Sequence, residues 1–192
     1  IGDVSGKGIP ASLFMVRASS LARLLGRDIA EPERILARLN DELSADNPSG
    51  MFVTMLCAVY DPVSGHIAIA NAGHNRPVLL RQGAAACWAV ESLGTALGFE
   101  PELSFERTDL ILQPGDSLVL YTDGVNEAFN AAVECYGNDR LLHDLNEHSS
   151  DAAHAVADGL LHHVRTFVDG APQSDDIAIL TLRRVSQTQS MP

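Results

Sequence analysis

The chain has 192 residues, 46% of them hydrophobic, with a formal charge of −12 and a pI of about 4.8. A chain of that length buries a sizeable core, and its apolar share argues against general disorder. An acidic surface repels a nucleic-acid duplex or an anionic membrane and favours cations, so a nucleic-acid or membrane-surface role is excluded at this stage. Cys57, Cys87 and Cys135 are far apart and odd in number, which suggests neither a zinc ribbon nor a disulfide framework. A reducing, cytoplasmic compartment is the expectation. No run reaches the roughly 20 apolar residues of a membrane span.

Taken in chain order, Ile9 to Leu25 reads as a helix: Pro10 suits a first turn, Phe14, Ala18, Leu21 and Leu25 share a face, and Gly26 stops it. Glu31 to Leu43, opened by Pro32 and striped by Leu36, Leu39 and Leu43, reads as a second helix, antiparallel to the first. The period then changes. The runs 51–61, 66–73 and 76–83 are β-rich, with "DPVSG" (61–65) as a hairpin turn, and "ACWAVE" (86–91) continues them. Residues 103–116 hold a strand and a turn, and "SLVLYTDG" (117–124) is an apolar strand ending in an acid. Gly137 to Glu147 reads as a helix, and Ala153, Val156, Ala157, Leu160, Val164 and Phe167 stripe another. "DDIAILTLR" (175–183) closes the domain as a strand, and 185–192 is a polar tail. This order predicts an α+β fold, a layered sandwich of mainly antiparallel strands flanked by helices, over residues 1–184.

The opening "IGDVSGKG" fails as a phosphate-binding Walker loop, because only three residues separate Gly2 from Gly6 and Lys7 is followed by Gly8. Its acid, Asp3, has company. Asp123 follows "LVLYT", and Asp175 and Asp176 precede "IAILTL". Carboxylates at strand ends are costly to desolvate unless paired or metal-bound, and no run of Lys or Arg accompanies them. An oxygen-rich set with few imidazoles suits Mg²⁺ or Mn²⁺. Each acid alone is equally a turn residue. Among the histidines, His154 and His162 fall on a polar face with Asp158 and Arg165, and His143 and His148 lack metal-ligand spacing. His74, in "NAGHNRP", reads as a loop brace before it reads as a catalytic group. Ser5 lacks the context of a nucleophile elbow.

The fragments "GDVSGKG", "MFVT", "NAGHNRP", "PGD…LYTDGVNEA" and "SDDIAIL", in this order, resemble the SpoIIE-type branch of the metal-dependent protein phosphatases, bacterial relatives of protein phosphatase 2C. The resemblance runs from residue 1 to about Arg184. It implies a central β-sandwich flanked by helix pairs, two Mn²⁺ or Mg²⁺ ions, and hydrolysis of phosphoserine or phosphothreonine. Carried over residue by residue, Asp3 bridges both metals and the Val4 carbonyl touches one. Asp123 and Asp175 complete the first metal site, Gly124 permits the turn after Asp123, and Asp176 is the lesser of its pair. The "NAGHNRP" signature with His74 is structural or flanks the substrate, and Lys7 either orients the phosphate or is solvated. The carboxylate set and the missing covalent nucleophile point to direct attack by water, with no phospho-enzyme.

In that family a further acidic ligand lies on an upstream strand, so a chain opening at Ile1 reads as a piece of something longer. An exposed sheet edge would then favour a homodimer. The resemblance also implies an upstream sensor or receiver domain, acting through the helix pair 9–43, and a phosphorylated anti-sigma-factor antagonist of STAS-like type as substrate. Two rivals stand beside the enzyme: a degenerate module that sequesters a phosphoprotein without cleaving it, and a two-metal phosphohydrolase acting on small molecules.

Overall fold

The computed structural model describes residues 1–45 and 47–185, so all but the first residue of the expected tail 185–192 lies outside the described residues. The chain divides into two compact units: residues 1–76 with 90–110, and residues 77–89 with 111 onward.

The first unit begins with the short strand β1 (Gly2–Val4), followed by α1 (Ile9–Leu25) and α2 (Pro32–Ser44). Gly8 precedes α1 with φ of 83°, a left-handed conformation that side-chain-bearing residues rarely adopt, and so sets the sharp entry into the helix. The Pro10 ring falls in the first turn of α1, where no intrahelical N–H is lost. Gly26 is right-handed (φ −67°) and does not reverse the chain. Its N–H still donates to the Ala22 carbonyl, and two further turn bonds from Arg27 and Asp28 carry the helix into the connection. The expected stop residue therefore frays the helix where a left-handed glycine would have broken it.

Strands β2 (Val53–Tyr60) and β3 (His66–Ala72) form the predicted hairpin, in register from Met55 opposite Ala72 to Tyr60 opposite Ile67. The Asp61 carboxylate builds the turn by accepting the Val63 N–H at 2.9 Å and the Ser64 hydroxyl at 2.5 Å. The Ser64 bond and then the Val63 bond hold this carboxyl below its ordinary pKa. With β6 (Arg107–Ile111) the sheet runs β1-β2-β3-β6. Phe14 and Ala18 of α1 and Leu36, Leu39 and Leu43 of α2 pack with Val53, Met55, Ala70, Ala72, Leu97 and Phe105 in one core.

The second unit holds β4 (Val78–Leu80), β5 (Cys87–Trp88), β7 (Ser117–Tyr121), α3 (Asp123–Asn126), α4 (Gly137–Glu147), α5 (Ala153–Val168) and β8 (Ile179–Arg183). Its sheet is ordered β5-β4-β7-β8, and the three pairings along it are antiparallel. All five residues of β7 are buried, as expected of a strand with a neighbour on each side. Val156, Leu160 and Val164 of α5 and Leu141 and Leu145 of α4 close over Val119 and Tyr121. His154, His162, Asp158 and Arg165 are exposed, as the polar face of α5 predicts.

Helices and antiparallel sheets make the fold α+β. The last strand starts at Ile179, later than the expected 175, because residues 176–178 leave the ladder to bond Thr122. The 86–91 run supplies only the two residues of β5.

Candidate metal and phosphate site

Asp123 follows β7 directly. Thr122 is extended (φ −88°, ψ 161°), and Asp123 opens the single turn α3, whose first bond runs from the Glu127 N–H to the Asp123 carbonyl. The Asp123 side chain is half-buried, and its Oδ1 is fully buried with no hydrogen-bond partner among the described residues. An ionised oxygen in that state is costly unless a cation compensates it.

Gly124 explains how the second acid-bearing segment comes so near. A Cβ there would sit 2.5 Å from the Asp176 carbonyl oxygen and 2.9 Å from that of Asp175. Its φ is ordinary, so the glycine is demanded by space rather than by the conformation of the turn. Thr122 fixes the same segment from the other side. Its hydroxyl donates to the Asp176 carbonyl at 2.8 Å and accepts the Ala178 N–H at 2.9 Å, while its own N–H donates to the Ala178 carbonyl at 3.1 Å. The Gln173 amide donates to the Asp175 carbonyl at 2.8 Å, and the Ser174 hydroxyl donates to the Glu127 carbonyl at 3.2 Å. Asp175 is half-buried and its Oδ1 accepts the Asp176 N–H at 2.8 Å, whereas Asp176 is exposed. The second unit thus brings Asp123, Gly124 and the 175–176 backbone together. Thr122 is the positioning residue that sequence reasoning missed.

Asp3 and Val4 belong to the first unit. They sit on β1, opposite Thr54 and Val53. The Thr54 hydroxyl donates to the Asp3 carbonyl at 3.4 Å and is 3.0 Å from His74 Nδ1. Thr54 has one hydroxyl proton, so with that proton on Asp3 it accepts from His74 Nδ1–H. His74 is buried, and its main chain exchanges two 2.8 Å bonds with the Asn71 amide. That is the loop-bracing role, and it ties "NAGHNRP" to the strand carrying Asp3. Lys7 is exposed in the loop between β1 and α1. Among the described residues, no group of three or more His, Cys, Asp or Glu side chains is assembled as a metal holder. The expected ligands fit a hard cation through their chemistry, carboxylates and one carbonyl, and through the orphaned Asp123 oxygen.

No helix among the described residues is long and apolar enough to cross a membrane. The fold is that of protein phosphatase 2C domains. The RsbU and RsbW domains of Rv1364c from Mycobacterium tuberculosis match with a TM-score of 0.81 at 20% identity, over 96% of this chain and 50% of theirs. The catalytic domain of the serine threonine protein phosphatase PstP, solved in complex with 2 manganese ions, matches with a TM-score of 0.65 at 14% identity, over 96% of this chain and 86% of its own. The SpoIIE model, described as stage II sporulation protein E, matches residues 1–185, and the chain belongs to that family.

Among sequence relatives, the phosphoserine phosphatase RsbU of Bacillus subtilis is 28% identical over 186 residues, 96% of this chain and 54% of RsbU. Protein IcfG of Synechocystis is 28% identical over 211 residues, 96% of this chain and 33% of IcfG. The chain therefore spans about a third to about half the length of these relatives.

Proposed function

We propose that this chain hydrolyses phosphoserine or phosphothreonine on a regulatory protein, with a phosphorylated anti-sigma-factor antagonist as the substrate. The observation that carries the reading is the buried Asp123 Oδ1, without a hydrogen-bond partner among the described residues, on a turn that Thr122 locks to residues 176–178. Family membership and the printed activity of RsbU support it.

Asp3, the Val4 carbonyl, Asp123 and Asp175 would hold two Mn²⁺ or Mg²⁺ ions, with Asp176 outside the set. When bound, such ions neutralise phosphoryl charge and acidify a water. The chain's own contribution is to hold those carboxylates in place and oriented. Thr122 and Gly124 set the second unit's acids, while Thr54 and His74 set the strand that carries Asp3. Lys7, exposed on its loop, offers a cation to the phosphate. Glycine-set entry at Gly8 joins β1 to α1, so movement of α1 and α2 is transmitted to Asp3. This is the route by which an upstream sensor or receiver domain would regulate turnover.

A phosphoprotein-binding module without hydrolysis is the second reading. Manganese-dependent release of phosphate from phosphoserine peptides separates the two, with nucleotides assayed in parallel. Turnover of peptide that Asp123→Asn abolishes supports the enzyme. Undiminished turnover in that variant, or binding with no turnover by the chain within its full-length protein, overturns it.

A further inference from the structure

Beside the Asp123 turn, and wholly within the second unit, lies a cavity of about 580 Å³. That is the size of a preformed small-ligand site. One wall is α5, which contributes Ala157, Leu161 and Val168. The first and last of these are eleven residues apart, about 16 Å at the helical rise. Ile177 and the exposed ring of Phe129 line it as well. The turn after α3 fixes that ring: Phe129 bridges Cys135, and Asn130 Oδ1 accepts the Ala132 N–H at 3.0 Å and the Glu134 N–H at 2.9 Å.

Two lining residues tie the cavity to the candidate metal site. Gly124 follows Asp123, Ser174 precedes Asp175, and both face the cavity. A molecule seated there therefore touches the same two backbone segments that carry the acids. The polar side chains of the lining are poor anchors for a free ligand. The Gln173 amide already donates to the Asp175 carbonyl, and the Ser174 hydroxyl to the Glu127 carbonyl. Asp158 and Arg165 are exposed on α5, where water competes for them. An apolar cavity with no buried polar side chain among its described lining residues suits a group delivered on a tether. A peptide already held by its phosphate supplies that tether and the high local concentration that goes with it.

We propose that this cavity seats a large apolar side chain of the phosphoprotein substrate, of the leucine or phenylalanine class, together with the backbone on either side of it. The inference rests on the phosphatase reading given above. An extended peptide rises about 3.3 Å per residue, so the α5 wall spans about five residues of it. The apolar residue therefore lies within about five positions of the phosphoserine. Ala157, Leu161, Val168 and Phe129 are then determinants of sequence preference and take no part in the chemistry.

The test uses the chain within its full-length protein, with manganese and polyalanine phosphoserine peptides in which one leucine is moved through the five positions on either side of the phosphoserine. Turnover gives kcat/KM, fluorescence anisotropy of labelled peptides gives Kd, and p-nitrophenyl phosphate, which has no flanking chain, is the reference substrate. Leucine at one or two positions is expected to raise kcat/KM about tenfold or more over the all-alanine peptide, since even one methylene in an apolar pocket discriminates by about 10–200-fold. Ala157→Phe fills the cavity and should abolish that preference while leaving p-nitrophenyl phosphate turnover unchanged. Leu161→Gln makes the wall polar without added bulk and should do the same; it decides the matter should Ala157→Phe fail to fold. Equal kcat/KM and equal Kd across the peptide series, or a leucine preference that survives the substitutions, overturns the assignment. A leucine-dependent Kd in a chain that hydrolyses neither peptide nor p-nitrophenyl phosphate supports the cavity's assignment and overturns the phosphatase reading instead.

Discussion

The Thr122 hydroxyl donates to the Asp176 carbonyl at 2.8 Å, a bond across 54 residues of sequence, and accepts the Ala178 N–H at 2.9 Å. It is the hinge pin between the turn bearing Asp123 and the segment bearing Asp175. Thr122→Val keeps the shape and removes both bonds, leaving a carbonyl and an N–H unpaired near a buried position. Loss of about 2 kcal/mol or more in urea unfolding is expected, since each unsatisfied buried group costs about 1–3 kcal/mol. Manganese affinity should fall with it, read by metal titration of phosphatase activity. A variant as stable and as active as the parent would contradict this role.

Gly124→Ala introduces a methyl where the nearest atoms, the carbonyl oxygens of Asp176 and Asp175, are backbone and cannot rotate away. The 175–176 segment must shift. Overpacking of this kind costs about 1–3 kcal/mol. The larger effect is expected on metal dependence: the manganese concentration for half-maximal activity should rise about tenfold or more, as when an orienting partner of a ligand is lost. The same exchange at Gly6, with open space around it, tests backbone conformation alone.

Asn71→Ala severs both bonds to the His74 main chain in a buried loop. We expect a stability loss of about 2 kcal/mol. Because His74 is bonded to Thr54, and Thr54 to the Asp3 carbonyl, kcat for phosphopeptide should fall further than the stability loss alone accounts for at a temperature where the variant is folded. Unfolding curves and kcat measured on one preparation check both parts.

Two exposed carboxylates give the acid limb of stability its sign. The Ser64 hydroxyl, followed by the Val63 N–H, lowers the Asp61 pKa, and the Arg107 guanidinium does the same for Asp109. Folding that depresses a carboxyl pKa is favoured above its ordinary value of 3.8, and the gain is lost as pH falls through the lowered value. Carboxyl-carbon titration by NMR should place both midpoints below 3.8 in the folded chain. Asp61→Asn should flatten that part of the stability curve.

The periodic elements were legible because their signals are local. The α1 and α4 spans match the residues expected, α2 lies one residue further along at both ends, and α5 starts at the expected Ala153 and runs one residue past Phe167. Strand ends were less legible, since β8 begins only after the Thr122 bonds have released the chain, and nothing at 175–178 announces a partner so far upstream. The strand-end acids Asp3, Asp123 and Asp175 stood out because a carboxylate beside an apolar run is conspicuous. Thr122 did not, because a threonine at a strand end fits any β pattern, and its role exists only once β7 and β8 are neighbours. The cavity beside α5 was hidden for the same reason: its walls lie on different elements, so no spacing rule connects them.

Neither compact unit is a single stretch of chain. Residues 90–110 return to the first unit and supply Leu97, Phe105 and almost all of β6. During synthesis, the first core therefore cannot close until the ribosome has passed that segment. By then β4 and β5 have already emerged, and they wait for β7 and β8 with their edges uncovered. A translational pause between residues 90 and 110 would prolong that interval, and nascent chains stalled there are the ones a chaperone would hold.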